Sequence, residues 1–264
     1  MNLSKIDKFD INTYDDFEKI VNNIRNGRIP FIGEDYWEIY RGQSKDSYSL
    51  ISGITRNISK KEDVIEIENK VLNEFKKVLD EKNLTEKYIQ LSENSNDYEN
   101  EWRWLEQAQH YRLPTRLLDW TIKPEIALFF AVENNFEDVG QFWIYKTPLN
   151  WNCDDHFEIN PKSETLNLIS NSSFFLGSDY INKIAEQRRA FQDGKFSFQD
   201  FSNSLIPLEK QKDLQEIIIK YTINPSSKKA LLKKLNEQNI NKDSVYIKYD
   251  NEIENIVATI KNNL

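Results

Sequence analysis

A single α+β domain is what this sequence predicts, and three observations predict it. Apolar stretches at Tyr36–Gln43, Gly140–Lys146 and Glu216–Ile223 read as strands, whereas stretches with apolar residues every three to four positions read as helices. The last third of the chain alternates strand, helix, strand, helix. No internal repeat, linker or low-complexity block divides the 264 residues, a length that buries a full core without staples.

In chain order, Thr13 can cap a helix over residues 14–26 whose Phe17, Ile20, Val21 and Ile24 make one buried stripe, and Gly27 suits its exit. The strand at 36–43 places Trp37, Ile39 and Arg41 on one face and Glu38 and Tyr40 on the other. Gly42, one of only seven glycines, signals a bulge or a close backbone approach. From Lys60 to Glu81, Val64, Ile67, Val71, Phe75 and Val78 describe a long amphipathic helix with a solvated charged face. Residues 92–100 are the most loop-like segment. Trp102, Trp104 and Leu105 open a helix that must end before Pro114, because the residue preceding a proline is pushed out of the α region. Thr115–Leu118 reads as extended, and Pro124 starts a largely buried helix with Thr121 as its expected cap. Residues 150–179 show no organising pattern. After the strand at 216–223, Asn224 and Pro225 open a helix through Leu235. A short strand is expected at Val245–Lys248, followed by a helix that aligns Ile253, Ile256, Val257 and Ile260.

Composition narrows the function. With 39% apolar and 30% charged residues, no apolar run of membrane-spanning length and no apolar segment after Met1–Lys5, the expectation is a soluble, cytoplasmic protein without a membrane partner. Cys153 is the only cysteine and His110 and His156 the only histidines, which excludes a disulfide within the chain and a Cys/His zinc site. A carboxylate-bound divalent ion stays open, although no metal is expected. A formal charge of −8 argues against strong non-specific nucleic-acid binding, which needs a basic surface to neutralise phosphates. There is no Gly-rich phosphate loop, no Gly-x-Ser-x-Gly elbow and no His-Glu-x-x-His.

Arginine usage points to candidate residues. Nine of the 35 basic residues are arginines, and Arg41, Arg112, Arg116, Arg188 and Arg189 fall in three short segments. A chain that otherwise prefers lysine keeps arginine where a planar, permanently charged fork is needed, either for bidentate contacts to phosphate or carboxylate or for buried ion pairs. Residues 107–131 concentrate the rest of the unusual chemistry. His110 can serve as a base, donate to a ligand, or simply pack. Asp119 can pair with Arg116 or Arg41. Thr121 can cap the next helix or meet an anion there.

Four motifs then stand together: Tyr-Arg-Gly-Gln at 40–43, His-Tyr-x-Leu-Pro-Thr-Arg-Leu-Leu-Asp-Trp-Thr at 110–121, Pro-x-x-Ala-Leu-x-Phe-Ala at 124–131 and Arg-x-x-x-Gln-x-Gly-x-Phe at 188–196. They resemble the FRG domain family from about Trp37 to about Tyr249, with Arg112 standing where that family usually has glycine. The family in turn resembles the ADP-ribosyltransferase fold. That resemblance implies a mixed, split β-sheet core surrounded by helices, with NAD as substrate and either a macromolecular acceptor or water receiving ADP-ribose. It implies catalytic positions at Arg41, Thr121, Gln192 and Asp119, and NAD contacts from Arg41, Gly42, His110, Tyr111, Arg116, Trp120 and Arg188. Gln192 stands where such transferases carry a glutamate, and this matters chemically. Nicotinamide–ribose cleavage passes through an oxocarbenium-like state that a carboxylate stabilises, so Asp119 or Glu186 would have to supply the charge. A toxin or phage-defence effector would suit an intracellular NAD-consuming enzyme. The alternative is a non-catalytic nucleotide- or phosphate-binding, or protein-interaction, module.

Overall fold

In the computed structural model, which describes residues 11–26, 36–89, 91, 97–148, 160–162, 173–177, 194–199, 203–215, 217–246 and 249–263, the described strands form one six-stranded sheet. They are β1 (Tyr36–Gln43), β2 (Leu117–Thr121), β3 (Gly140–Pro148), β4 (Ser173–Gly177), β5 (Gly194–Gln199) and β6 (Ile218–Ile223), in the spatial order β4-β5-β2-β1-β3-β6. All neighbouring strands run antiparallel, which corrects the expected mixed sheet. The reason lies in the last third. The strand expected at Val245–Lys248 is instead a helical turn over Lys242–Val245, started by Asn241, whose side chain accepts from the amides of Asp243 and Ser244. Residues 247 and 248 lie outside the described residues. Among the described residues no βαβ unit forms, and β6 lies at the edge of the sheet.

A split in the sheet has a definite place. β1 and β3 are in register from Tyr36 opposite Pro148 to Gln43 opposite Gln141, yet β1 and β2 align at the single pair Tyr40 and Thr121. Two three-stranded halves thus meet at one point.

Helices cover one face of both halves. The described helices are α1 (Tyr14–Arg25), α2 (Lys61–Glu81), α3 (Thr85–Tyr88), α4 (Asp97–His110), α5 (Pro124–Val132), α6 (Pro225–Glu237), α7 (Lys242–Val245) and α8 (Asn251–Asn262). Alternation sends Tyr40, Phe142, Ile144, Tyr221 and Ile223 toward α1, α5 and α6, and Leu117, Phe196 and Phe198 toward α2, α4 and α8. The opposite face carries Ile39, Leu118, Trp120, Trp143 and Tyr145 under Leu50, Leu208 and Leu214 from the connections. Among the described residues no helix is long and apolar enough to cross a membrane.

Local chemistry accounts for the element ends. Thr13 caps α1 as expected, with Asp16 completing a reciprocal capping box. α4 begins at Asp97, inside the segment read as loop, and ends at His110 before the proline. α2 departs from expectation at one residue on its charged face: Glu68 is only 3% exposed and pairs with Arg116. On α6, Lys228 is fully buried, and its ammonium donates to the carbonyls of Ser44 (2.7 Å) and Asn135 (2.8 Å), tying two connections to the helix.

Candidate functional site

The site begins at the point where β1 and β2 part. A cavity of about 180 Å³ opens there, lined by Tyr40, Arg41 and Gly42 from β1, Asp119, Trp120 and Thr121 from β2, and Ile126, Ala127 and Phe130 from α5. α5 is held unusually close beneath it. A Cβ on Gly42 would lie 1.8 Å from the Ala127 carbonyl oxygen and 2.6 Å from the Ala131 nitrogen, so only glycine lets helix and strand approach this far. The close approach expected at Gly42 is therefore present.

Arg41 is half-buried at the parting, and its Nη1 donates to the backbone carbonyl of Asp119. A side chain thus takes a carbonyl of β2 where β1 has turned away. Its Nε is buried without a hydrogen-bond partner, and no carboxylate lies within ion-pair distance of the guanidinium among the described residues. Burial pulls the group down to about 10, with the Asp119 charge opposing that shift. At neutral pH it remains a cation, desolvated and incompletely satisfied.

Asp119 is held from the other side. Gln109, in the last turn of α4, donates through Nε2 to Asp119 Oδ2 at 2.8 Å. Thr115 Oγ1 donates to Gln109 Oε1 at 2.6 Å and accepts from the Leu117 amide at 3.2 Å. The chain of bonds fixes the orientation of the glutamine amide, and with it one carboxylate oxygen. Thr121 is 4% exposed, and its hydroxyl accepts from the Lys123 amide at 3.0 Å. It closes a turn two residues long and does not cap α5, whose N-cap is Lys123 without a side-chain cap bond. Pro124 at the first turn already lacks an N–H that would need one.

The other sequence-derived candidates separate cleanly. Trp120 lines the cavity, donates from Nε1 to Ser197 Oγ at 2.9 Å and packs against Tyr145. His110 and Tyr111 do not line it: His110 packs edge-on against Phe196, and Tyr111 sits among Phe75, Tyr88 and Tyr249 in the core under α2, α4 and α8. Arg116 is 1% exposed and structural. Nε donates to Glu68 Oε2 at 2.8 Å, the backbone amide to Glu68 Oε1 at 2.9 Å, and the terminal nitrogens to the carbonyls of Pro161 and Gln199, with Phe198 beneath the guanidinium. Arg188, Gln192 and Glu186 lie outside the described residues. Among the described residues no group of three or more His, Cys, Asp or Glu side chains could hold a metal ion.

Sequence reasoning did not single out Gln109, Thr115, Tyr40 or Phe130. Tyr40 and Thr115 had a readable signal, since each falls within a motif beside a candidate residue, Arg41 and Arg116, and Phe130 falls within the motif at 124–131. Gln109 had none, because its partner lies across a helix end, a turn and a strand start. Arg112 is explained by its backbone: φ is 63°, the left-handed region where glycine rests most easily.

Comparison with curated proteins and with solved structures gives no match. One family does match, and its span runs from β1 past α5, taking in Arg41, Gly42, Gln109, Asp119 and Thr121. Residues 37–139 match the model of the FRG domain family.

Proposed function

We propose that the chain is an NAD-using enzyme of the ADP-ribosyltransferase type, transferring ADP-ribose to a target or hydrolysing NAD. One observation carries the reading: Arg41, a desolvated cation with an unengaged Nε, borders a cavity whose only lining carboxylate among the described residues is Asp119. An arginine left short of partners in a half-buried cleft favours an anionic ligand such as a pyrophosphate. A cavity of about 180 Å³ holds one ring-sized portion of a dinucleotide, so the remainder extends beyond its mouth. In the reaction, the bond between ribose C1′ and the nicotinamide nitrogen breaks, and nicotinamide leaves with the bonding electrons. Asp119 faces the cation that develops on the ribose, and water or an acceptor nucleophile adds to C1′ and gives up its proton.

A second reading is a nucleotide- or phosphate-binding module that breaks no bond. The observation favouring it is that Gln192, which the resemblance sets near the transferase glutamate, carries no charge. One experiment separates the two. The protein is incubated with NAD, with and without cell extract, and nicotinamide release is followed by chromatography beside titration calorimetry with NAD and ADP-ribose. Release that falls at least about tenfold in Arg41→Gln and in Asp119→Asn supports the enzyme. Binding without release supports the module. Neither binding nor release from a protein shown to be folded by its thermal transition removes both.

A further inference from the structure

A second cavity, of about 250 Å³, lies between the turn after α4 and α8. Its floor is apolar: Tyr111, Ile253 and Val257 are nearly fully buried, and Tyr249 stands beside them. Its rim is ionic, with Arg112 on the turn and Lys261 and Glu254 on α8.

Both cations are solvent-exposed at the rim of the cavity. Arg112 has φ 63°, and the other three non-glycine residues with positive φ among those described are all asparagines, which tolerate that region. Its guanidinium stands 5.8 Å from the ring centroids of both Tyr246 and Tyr249. Burial lowers the pKa of Lys261, and the charge of Arg112 lowers it further, so the two cations repel each other across the cavity. A lysine in the last turn of a helix is ordinary by itself, since it meets the negative end of the helix dipole. A second cation facing it is not. In a chain with 43 acidic residues, neither Arg112 nor Lys261 has a carboxylate within ion-pair distance among the described residues, although Glu254 shares the rim.

We propose that this cavity binds a small organic monoanion, its carboxylate held between Arg112 and Lys261 and its aromatic or aliphatic body lying on Tyr111, Tyr249, Ile253 and Val257. Two cations and one carboxylate leave the rim with a surplus of one positive charge, which sets the charge of the occupant. The guanidinium supplies a planar fork for the carboxylate and the ammonium a point charge beside it. The floor supplies the apolar area that a bare inorganic anion would not use. The site is independent of the cavity at Arg41, and its test does not require turnover of NAD.

The test uses the full chain and 3-phenylpropanoate as probe, followed by amide-resolved NMR titration, with 3-phenylpropanamide and acetate as comparisons. Expected is saturable one-to-one binding with shifts confined to the turn at 111–113 and to α8. The affinity should fall about tenfold or more for the neutral amide, for acetate, and in Arg112→Gly and Lys261→Gln. Arg112→Gly adopts the same backbone conformation without strain, and its thermal transition is recorded beside that of the parent. The proposal is overturned if no saturable binding occurs to millimolar probe, if the amide binds as well as the carboxylate, or if both variants bind like the parent.

Discussion

Gln109 Nε2 donates to Asp119 Oδ2 over 2.8 Å while Gln109 Oε1 accepts from the Thr115 hydroxyl at 2.6 Å. Only one orientation of the amide satisfies both partners, because a carboxylate can only accept. Gln109→Glu sets two carboxylates against each other and is expected to cost about 1–3 kcal/mol, read by urea denaturation at pH 7. Gln109→Leu should retain the fold better yet lower nucleotide affinity or nicotinamide release, since Asp119 loses its anchor. If Gln109→Glu matches the parent in both stability and activity, the bond has no role in holding Asp119.

Arg116 and Glu68 form a pair with side chains 1% and 4% exposed. Removing either partner leaves a charge buried alone, so Arg116→Ala and Glu68→Gln should each lose about 3–5 kcal/mol of stability. The double replacement Arg116→Met with Glu68→Leu should lose less than the sum of the single changes. A melting series on the four proteins checks this, and strictly additive losses would contradict it.

Gly42 and Gly53 make a matched comparison. A methyl at Gly42 meets backbone atoms of α5 at 1.8 and 2.6 Å, whereas a methyl at Gly53 meets nothing within 4 Å. Gly42→Ala should therefore destabilise by at least about 1–3 kcal/mol, and Gly53→Ala should be close to neutral. Circular-dichroism melts of the two variants decide the matter.

Glu133, 5% exposed at the end of α5, has its pKa raised by burial, against the lowering effects of the Tyr246 hydroxyl that donates to it and of Lys242. With the folded value above the unfolded one, its contribution is full below the ordinary carboxylate range and is lost as pH rises through the folded value. Glu133→Gln keeps an acceptor for Tyr246 and carries no charge. Its stability advantage over the parent should be small near pH 4 and grow toward pH 7.5 in urea titrations at the two pH values. An advantage that shrinks with rising pH would show the opposite linkage.

What could be read from the sequence was local. The stripe of α1, its Thr13 cap and the helix stop before Pro114 each depend on residues a few positions apart, and the close approach was signalled by the glycine at 42 itself, without its partners Ala127 and Ala131. What could not be read depends on distant partners. Arg41 and Arg116 look alike in the sequence, and only the placement of Glu68, Pro161 and Gln199, all more than 40 residues from Arg116, makes one structural and leaves the other incompletely satisfied. His110 and Tyr111 sit in the same motif as Asp119, but α4 carries them under the helical layer while β2 carries Asp119 to the cavity. Val245 has the apolar character of a strand residue, yet the cap at Asn241 wins locally and makes it the end of a helical turn.

The single Tyr40–Thr121 pairing between the halves of the sheet gives the domain a compliant joint between two stiff plates. Ladders of hydrogen bonds run within each plate, whereas among the described residues one residue pair and the Arg41–Asp119 bond join the halves along the sheet, with α5 packed across both. The guanidinium is thus both a fastening of the joint and the cation facing the cavity. One side chain bridges the seam of the sheet and borders the cavity at the same time.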